Sequence, residues 1–172
     1  MPLKKQWRIG DFMTKILVLS DSHRNFDPMV QAVKLEKPDM IIHLGDHYKD
    51  AMSLHGVFPD IPLYAVSGNC DSERSESEKM IVVEGKKILL CHGHEYGVKS
   101  GYLNLQYAAR EKGADIVLFG HTHQVFYDQT SQLAMLNPGS IGEPRYYGKN
   151  SYGILIIENG QIFINTYILR QG

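Results

Sequence analysis

Lys15-Ile16-Leu17-Val18-Leu19-Ser20-Asp21-Ser22-His23 is the stretch that decides the fold. The short apolar run ends abruptly in polar residues, the signature of a buried strand that delivers its last side chains to solvent or to a site. Downstream, Asp27-Pro28 reads as an N-cap followed by a first-turn proline, opening a helix that carries Val30 and Val33. Met40-Ile41-Ile42-His43-Leu44 is a second strand, a short helix spans about Asp50 to His55, and Leu63-Tyr64-Ala65-Val66 is a third strand. Strands alternating with helices predict a parallel sheet covered on both faces.

The pattern then changes. Met80–Val83 and Lys87–Cys91 flank Glu84-Gly85-Lys86 and predict a hairpin. Ser100 to Lys112 has helical character, with Leu103, Tyr107 and Ala108 on one face and Gly113 as its stop. Asp115–Phe119 reads as a buried strand, followed by strand patterns at Val125–Asp128, Leu133–Leu136, Gly153–Ile157 and Gln161–Leu169. Asn159-Gly160 between the last two is a strong two-residue turn signal. A parallel α/β half followed by a more antiparallel half fits two packed mixed sheets with helices outside.

Composition narrows the function classes. The 172 residues suffice for one domain with a sizeable core, and 43% of them are apolar against 22% charged. Eighteen Lys and Arg nearly balance nineteen Asp and Glu, so no stable nucleic-acid binding is expected. No apolar stretch approaches a membrane span, and no membrane partner is expected. Only Cys70 and Cys91 are present, too few for a disulfide scaffold, which makes a reducing cytoplasm the expected location. Residues 1–12 carry Lys4, Lys5, Trp7 and Arg8 but no apolar core of a signal peptide, and strand-like sequence starts directly after Met13. Residues 1–12 are therefore read as an extension, non-native or disordered, and 13–172 as a single domain.

The chemistry falls at strand ends. Asp21-Ser22-His23 follows the first strand, Gly45-Asp46 the second and Gly68-Asn69-Cys70-Asp71 the third. His92-Gly93-His94 follows the hairpin, and Gly120-His121-Thr122-His123 follows the next buried strand. Ligands of open α/β sheets bind beyond the carboxyl ends of the strands, so five segments converge on one edge. Asp21 alone would be read as a helix cap, Gly45-Asp46 as a turn and His-x-His as surface residues. All five falling at strand ends is not explained that way. Mixed oxygen and nitrogen donors without thiolate suit Mn²⁺, Fe, Zn²⁺ or Ni²⁺. The seven candidates are Asp21, His23, Asp46, Asn69, His92, His121 and His123, enough for two ions if one ligand is shared.

In this order, these motifs resemble the calcineurin-like metallophosphoesterases, and more closely the small bacterial and archaeal phosphodiesterases of the YfcE type. The resemblance runs from about Met13 to the C-terminus and includes Asn137-Pro138-Gly139-Ser140. It implies a four-layer α/β/β/α sandwich of two mixed sheets flanked by helices. It also implies that Asp21, His23, Asp46 and His123 hold one ion, and that Asp46, Asn69, His92 and His121 hold the other. The expected cofactors are thus two divalent ions, Mn²⁺ foremost, with Ni²⁺, Fe or Zn²⁺ as alternatives. They would share a bridging hydroxide that attacks phosphorus in line.

Cys70 stands where many members of the family have His, which leaves the proton donor open. Cys70 and His94 are the catalytic candidates. Cys91 reads as a core residue, His43 and His55 as structural, and His47 as a rim residue. Arg24 replaces a common Gly and reads as a surface residue. Arg145, Tyr146 and Tyr147 read as loop residues with a second reading as pocket lining. The expected activity is hydrolysis of a small phosphodiester, and an exposed strand edge suggests a homodimer. The alternatives are a non-catalytic scaffold with the same fold, or a phosphomonoesterase. The presence of every ligand type favours an enzyme.

Overall fold

The computed structural model describes residues 13–72, 75–130, 132–145 and 148–170. The reading of residues 1–12 as an extension, and that of Tyr146 and Tyr147 as loop or pocket lining, lie outside the described residues.

The elements are β1 (Met13–Leu19), α1 (Asp27–Glu36), β2 (Met40–His43), α2 (Tyr48–Val57), β3 (Leu63–Ala65), β4 (Glu78–Val83) and β5 (Lys86–Cys91). They continue with α3 (Leu103–Glu111), β6 (Ile116–Leu118), β7 (Val125–Gln129), β8 (Ala134–Pro138), β9 (Ser151–Glu158) and β10 (Gln161–Ile168). The strands form two five-stranded sheets, ordered β10-β9-β1-β2-β3 and β4-β5-β6-β8-β7. Both are mixed. β1, β2 and β3 run parallel, as do β5, β6 and β8, and the remaining pairings are antiparallel.

Alternation along β1 shows how the layers stack, because successive strand residues face opposite sides. Ile16 and Val18 pack between the sheets with Ile42, Leu44, Ile88, Leu90, Ile116 and Leu118. Leu17 and Leu19 face the other way and pack on Met29, Ala32 and Val33 of α1 and Leu54 of α2. Leu89, Val117 and Met135 of the second sheet cover Leu105 and Ala109 of α3. The result is the four-layer α/β/β/α sandwich expected from the sequence. Each fully buried aliphatic side chain contributes about 1.5–3 kcal/mol, and the layer between the sheets is the largest of the three clusters.

Three sequence expectations need adjusting. The last hairpin does not build a separate antiparallel half: β9 pairs with β1 over Met13↔Glu158 to Val18↔Gly153, returning the chain to the first sheet. Hydrophobic patterning identifies a strand but not its neighbour. On α3, Leu103 and Tyr107 are exposed at 58% and 60%, and the buried pair is Leu105 and Ala109. Both pairs have i,i+4 spacing, and the small Ala109 lets the helix sit close on its sheet, while Tyr107 keeps its hydroxyl in water. Finally, α1 begins at Asp27 itself, which sits in the first turn and makes no side-chain cap. Its carboxylate acts on the helix dipole instead.

The parallel strands of both sheets end on one edge of the sandwich. Backbone bonds tie the strand ends together there: Asp21 N–H to Gly45 O at 2.9 Å in the first sheet, Gly120 N–H to His92 O at 2.9 Å in the second, and Ile141 N–H to Ser20 O at 3.1 Å between the two. No helix among the described residues is long and apolar enough to cross a membrane.

Candidate metal centre

Two groups of side chains meet at this edge. Asp21, His23, Asp46 and His123 form one, and Asp46, His92 and His121 form the other, with one ligand atom of each residue within 4.8 Å of the rest of its group. Asp46 belongs to both. Asn69 lies on the exposed loop after β3, with its side-chain amide facing the Cys70 thiol at 3.6 Å.

The local backbone explains the convergence. Asp21, His23, Asp46, His121 and His123 all have positive φ, between 45° and 71°. Non-glycine residues enter this region at a cost, Asp and His less than most, and such strain clusters where a site over-determines the geometry. Asp21 and His23 therefore converge through left-handed turns, not through the strand alternation that their Asp-x-His spacing suggests.

Each carboxylate is held by one oxygen and free at the other. Asp21 Oδ2 accepts the Ser20 hydroxyl at 2.6 Å and the His121 N–H at 3.1 Å. Its Oδ1 is buried without a hydrogen bond, facing Nε2 of His123 at 3.1 Å and of His23 and His92 at 3.8 Å. Asp46 Oδ1 accepts the Cys70 N–H at 2.9 Å. Its Oδ2 stands 3.6 Å from His23 Nε2 and 3.4 Å from His92 Nε2, one from each group.

The imidazoles are oriented from behind. His92 Nδ1 donates to Leu44 O at 2.7 Å and His123 Nδ1 to Glu143 O at 2.6 Å, which leaves both Nε2 atoms turned inward. Nitrogen pairs then face each other, His23 with His123 at 3.3 Å and His92 with His121 at 3.2 Å. Ligands of one ion about 2.0–2.2 Å away stand about 3.0–3.5 Å apart. The orphaned Asp21 oxygen and these spacings fit a cation in each group. Backing a metal-binding imidazole with a carbonyl is how proteins fix its tautomer.

Charge agrees with the donor set. Burial works to raise the Asp21 and Asp46 carboxyl pKa values, but the facing imidazoles, His123 and His92 foremost, hold both below the usual range. Burial and the neighbouring His92 depress His121 to about 4, so its ring is neutral and its lone pair available near pH 7. His92 and His123 are buried too, yet the facing carboxylates raise them.

Sequence reasoning missed Asp71. Its Oδ2 accepts the N–H groups of Gly68 at 2.7 Å and Asp46 at 3.1 Å, and its Oδ1 those of Tyr48 at 2.8 Å and His47 at 3.0 Å. One carboxylate thus clamps the β2–α2 loop to the β3 loop and faces the N-terminus of α2. Its place two residues after Asn69 is the one local signal, and by itself that reads as turn chemistry. Ser140 plays a similar part on the other side, donating to Asp21 O at 2.8 Å and accepting Glu143 N–H at 2.7 Å. Asn137 donates to Gly120 O and to Thr122 Oγ1, both at 3.0 Å. The Asn-Pro-Gly-Ser segment is therefore scaffolding for His121 and His123.

The remaining candidates sit around the centre. The His94 ring lies 5.4 Å from His92 and 6.0 Å from His121, and its Nδ1 is buried without a partner. Cys70 is exposed, and slight burial together with Asp46 pushes its thiol up to about 11. Cys91 is buried in the core under α3, and both cysteines are free. His43 is buried between Ser22 Oγ at 3.0 Å and the Gly45 N–H at 3.2 Å. His47 faces Asp50 at 2.8 Å on the rim, beside exposed Arg24. His55 is exposed in the last turn of α2.

The chain is similar to known proteins in sequence and in fold. The calcineurin-like phosphoesterase superfamily domain matches residues 14–160. YsnB of Bacillus subtilis, a probable metallophosphoesterase, is 36% identical over 156 residues, 88% of this chain and 89% of that protein. The phosphodiesterase YfcE of Escherichia coli K12 is 31% identical over 100 residues, 53% of this chain and 50% of that one. The crystal structure of a predicted phosphoesterase from Streptococcus pneumoniae superposes with a TM-score of 0.75 at 27% identity, covering 91% of this chain and 90% of that chain. The chain belongs to the calcineurin-like phosphoesterase superfamily.

Proposed function

We propose that this calcineurin-like phosphoesterase is a metal-dependent phosphodiesterase with two divalent ions, Mn²⁺ foremost, held by the seven sequence candidates. The observation that carries the reading is the position of Asp46 Oδ2, 3.6 Å from His23 Nε2 and 3.4 Å from His92 Nε2. A single carboxylate oxygen facing both groups is what two ions with one shared ligand require. Asn69 would complete the second group with a neutral oxygen.

When bound, such a pair of ions lowers the pKa of water and neutralises charge on phosphoryl oxygens. The chain's own residues supply the rest. Asp21 and Asp46 hold their inward oxygens fixed through their outward ones, so the site is organised before substrate arrives. His94, with an unpartnered nitrogen beside His92 and His121, is placed to contact the ester or hand a proton to the departing alkoxide. The Cys70 thiol stays protonated at neutral pH and is the second donor candidate. The substrate is a small diester, the working location the cytoplasm and the assembly a homodimer.

The test is hydrolysis of bis(p-nitrophenyl) phosphate and of p-nitrophenyl phosphate by chelated and Mn²⁺-loaded protein. Metal-dependent turnover favouring the diester supports the reading. Preference for the monoester would replace it with a phosphomonoesterase, and turnover of neither would leave a scaffold.

A further inference from the structure

A cleft of about 320 Å³ opens directly beside the metal centre. His123, one of the inward-facing ligands, forms one wall, and Gln124, Val125, Arg145, Lys149 and Ile168 form much of the rest. Its volume lies at the low end of the range for small-molecule sites. The lining has two parts of different chemistry. Val125 and Ile168 give it an apolar floor, half exposed at 51% and 55% although both belong to strands. Arg145 and Lys149 give it two cations, and no carboxylate lines it among the described residues. Neither cation has an ion pair among the described residues. A larger groove of about 800 Å³ shares Lys149 and Ile168 with this cleft and adds Arg170. Positive charge therefore continues outward from the metal centre.

We propose that this cleft is the subsite for one alcohol of the diester, and that it selects alcohols with an apolar body and a second anionic group. This rests on the phosphodiesterase reading of the adjacent centre. The scissile phosphate sits at the ions, and the body of the alcohol lies on Val125 and Ile168. Arg145 and Lys149 then meet the second phosphate or carboxylate. Arg is suited to paired hydrogen bonds with such groups, and Lys adds a point charge. A metal centre alone cannot distinguish one diester from another, because it touches only the phosphoryl group they share. Discrimination must come from groups beyond it, and the cleft next to His123 provides them.

The test uses two esters that differ by one phosphate, the p-nitrophenyl esters of thymidine 5′-phosphate and of thymidine 3′,5′-bisphosphate at the 5′ position. With Mn²⁺, kcat/KM should favour the bisphosphate by about tenfold, the scale of one or two charge-assisted contacts. In the Arg145→Ala/Lys149→Ala double variant that ratio should fall to about one. Comparing the ratio within each protein removes any general effect of the substitutions on turnover. A ratio near one in the wild type, or a preference that survives in the double variant, overturns the proposal. Calorimetry in the same Mn²⁺ buffer gives a readout separate from turnover. Thymidine 3′,5′-bisphosphate should bind about tenfold more tightly to the wild type than to the double variant, and equal affinities overturn the proposal. Failure of the wild type to hydrolyse either ester would count against the phosphodiesterase reading, while calorimetry would still decide the subsite.

Discussion

Asp71 Oδ2 accepts the backbone N–H of Asp46 at 3.1 Å, so the residue shared by both halves of the metal centre is positioned by a carboxylate on a different loop. The same carboxylate takes three further N–H groups, from His47, Tyr48 and Gly68. Asp71→Ala leaves four donors without their acceptor. It should destabilise the chain by roughly 2–4 kcal/mol and weaken Mn²⁺ binding. Asp71→Asn keeps one oxygen acceptor and should fall between the two. Urea unfolding and metal titration check both, and an Asp71→Ala variant with wild-type stability would refute the clamp.

Gly68 and Gly120 matter for what a side chain would strike. A Cβ on Gly68 would lie 2.1 Å from Asp46 Oδ1, and one on Gly120 would lie 2.0 Å from Ser20 Oγ. The first would push aside the Asp46 carboxylate itself, and the second the Ser20 hydroxyl that holds the Asp21 carboxylate. Gly68→Ala and Gly120→Ala should each reduce Mn²⁺ affinity by about 10–100-fold, the usual effect of disturbing groups that support metal ligands. Metal titration decides this, and unchanged affinity would show that the neighbours yield.

His43 should make the metal-free protein acid-sensitive. Burial lowers its pKa from 6.5 to about 4. Below about pH 6.5 the unfolded chain takes up a proton on His43 and the folded chain does not. Stability is therefore lost as pH falls from about 6.5 to about 4, by about 3 kcal/mol. Denaturant midpoints of wild type and His43→Gln across this interval give the measurement. The difference between the two proteins should change with pH by that amount, and a constant difference would mean that His43 titrates normally.

Cys70 should be unreactive for an exposed thiol. With its pKa pushed up to about 11 from an ordinary 9.0, only about 1% is thiolate at pH 9. Alkylation of metal-free protein by iodoacetamide should be slow at pH 9 and still rising at pH 10. A rate that already levels off by pH 10, as an ordinary thiol's would, would contradict the influence of Asp46. If His94 is the donor, Cys70→Ala keeps most of its phosphodiesterase activity and His94→Ala loses most of it.

Much of this site was legible in the sequence because strand ends are legible. Ile16–Leu19, Met40–Leu44 and Asp115–Phe119 each stop at Asp, Gly-Asp or Gly-His, and parallel topology brings such ends to one edge. Six of the seven candidates do meet there. The positive φ values at Asp21, His23, Asp46, His121 and His123 were not legible, because they are imposed by tertiary contacts and oppose local preference. Asp71 was hidden for a related reason: an Asp after Gly-Asn looks like turn chemistry until the second loop it holds is seen. The buried face of α3 was ambiguous because Leu103/Tyr107 and Leu105/Ala109 have the same spacing. The return of β9 to β1 depends on pairing between residues more than a hundred positions apart, which no local pattern records.

Two Mn²⁺ ions that share the Asp46 carboxylate would be magnetically coupled. Electron paramagnetic resonance during Mn²⁺ titration tests this sharing most directly. Titration should saturate at two Mn²⁺ per chain with an exchange-coupled spectrum, and the coupling should be lost in Asp46→Asn. Saturation at one Mn²⁺, or two ions that remain magnetically independent in the wild type, would contradict the sharing.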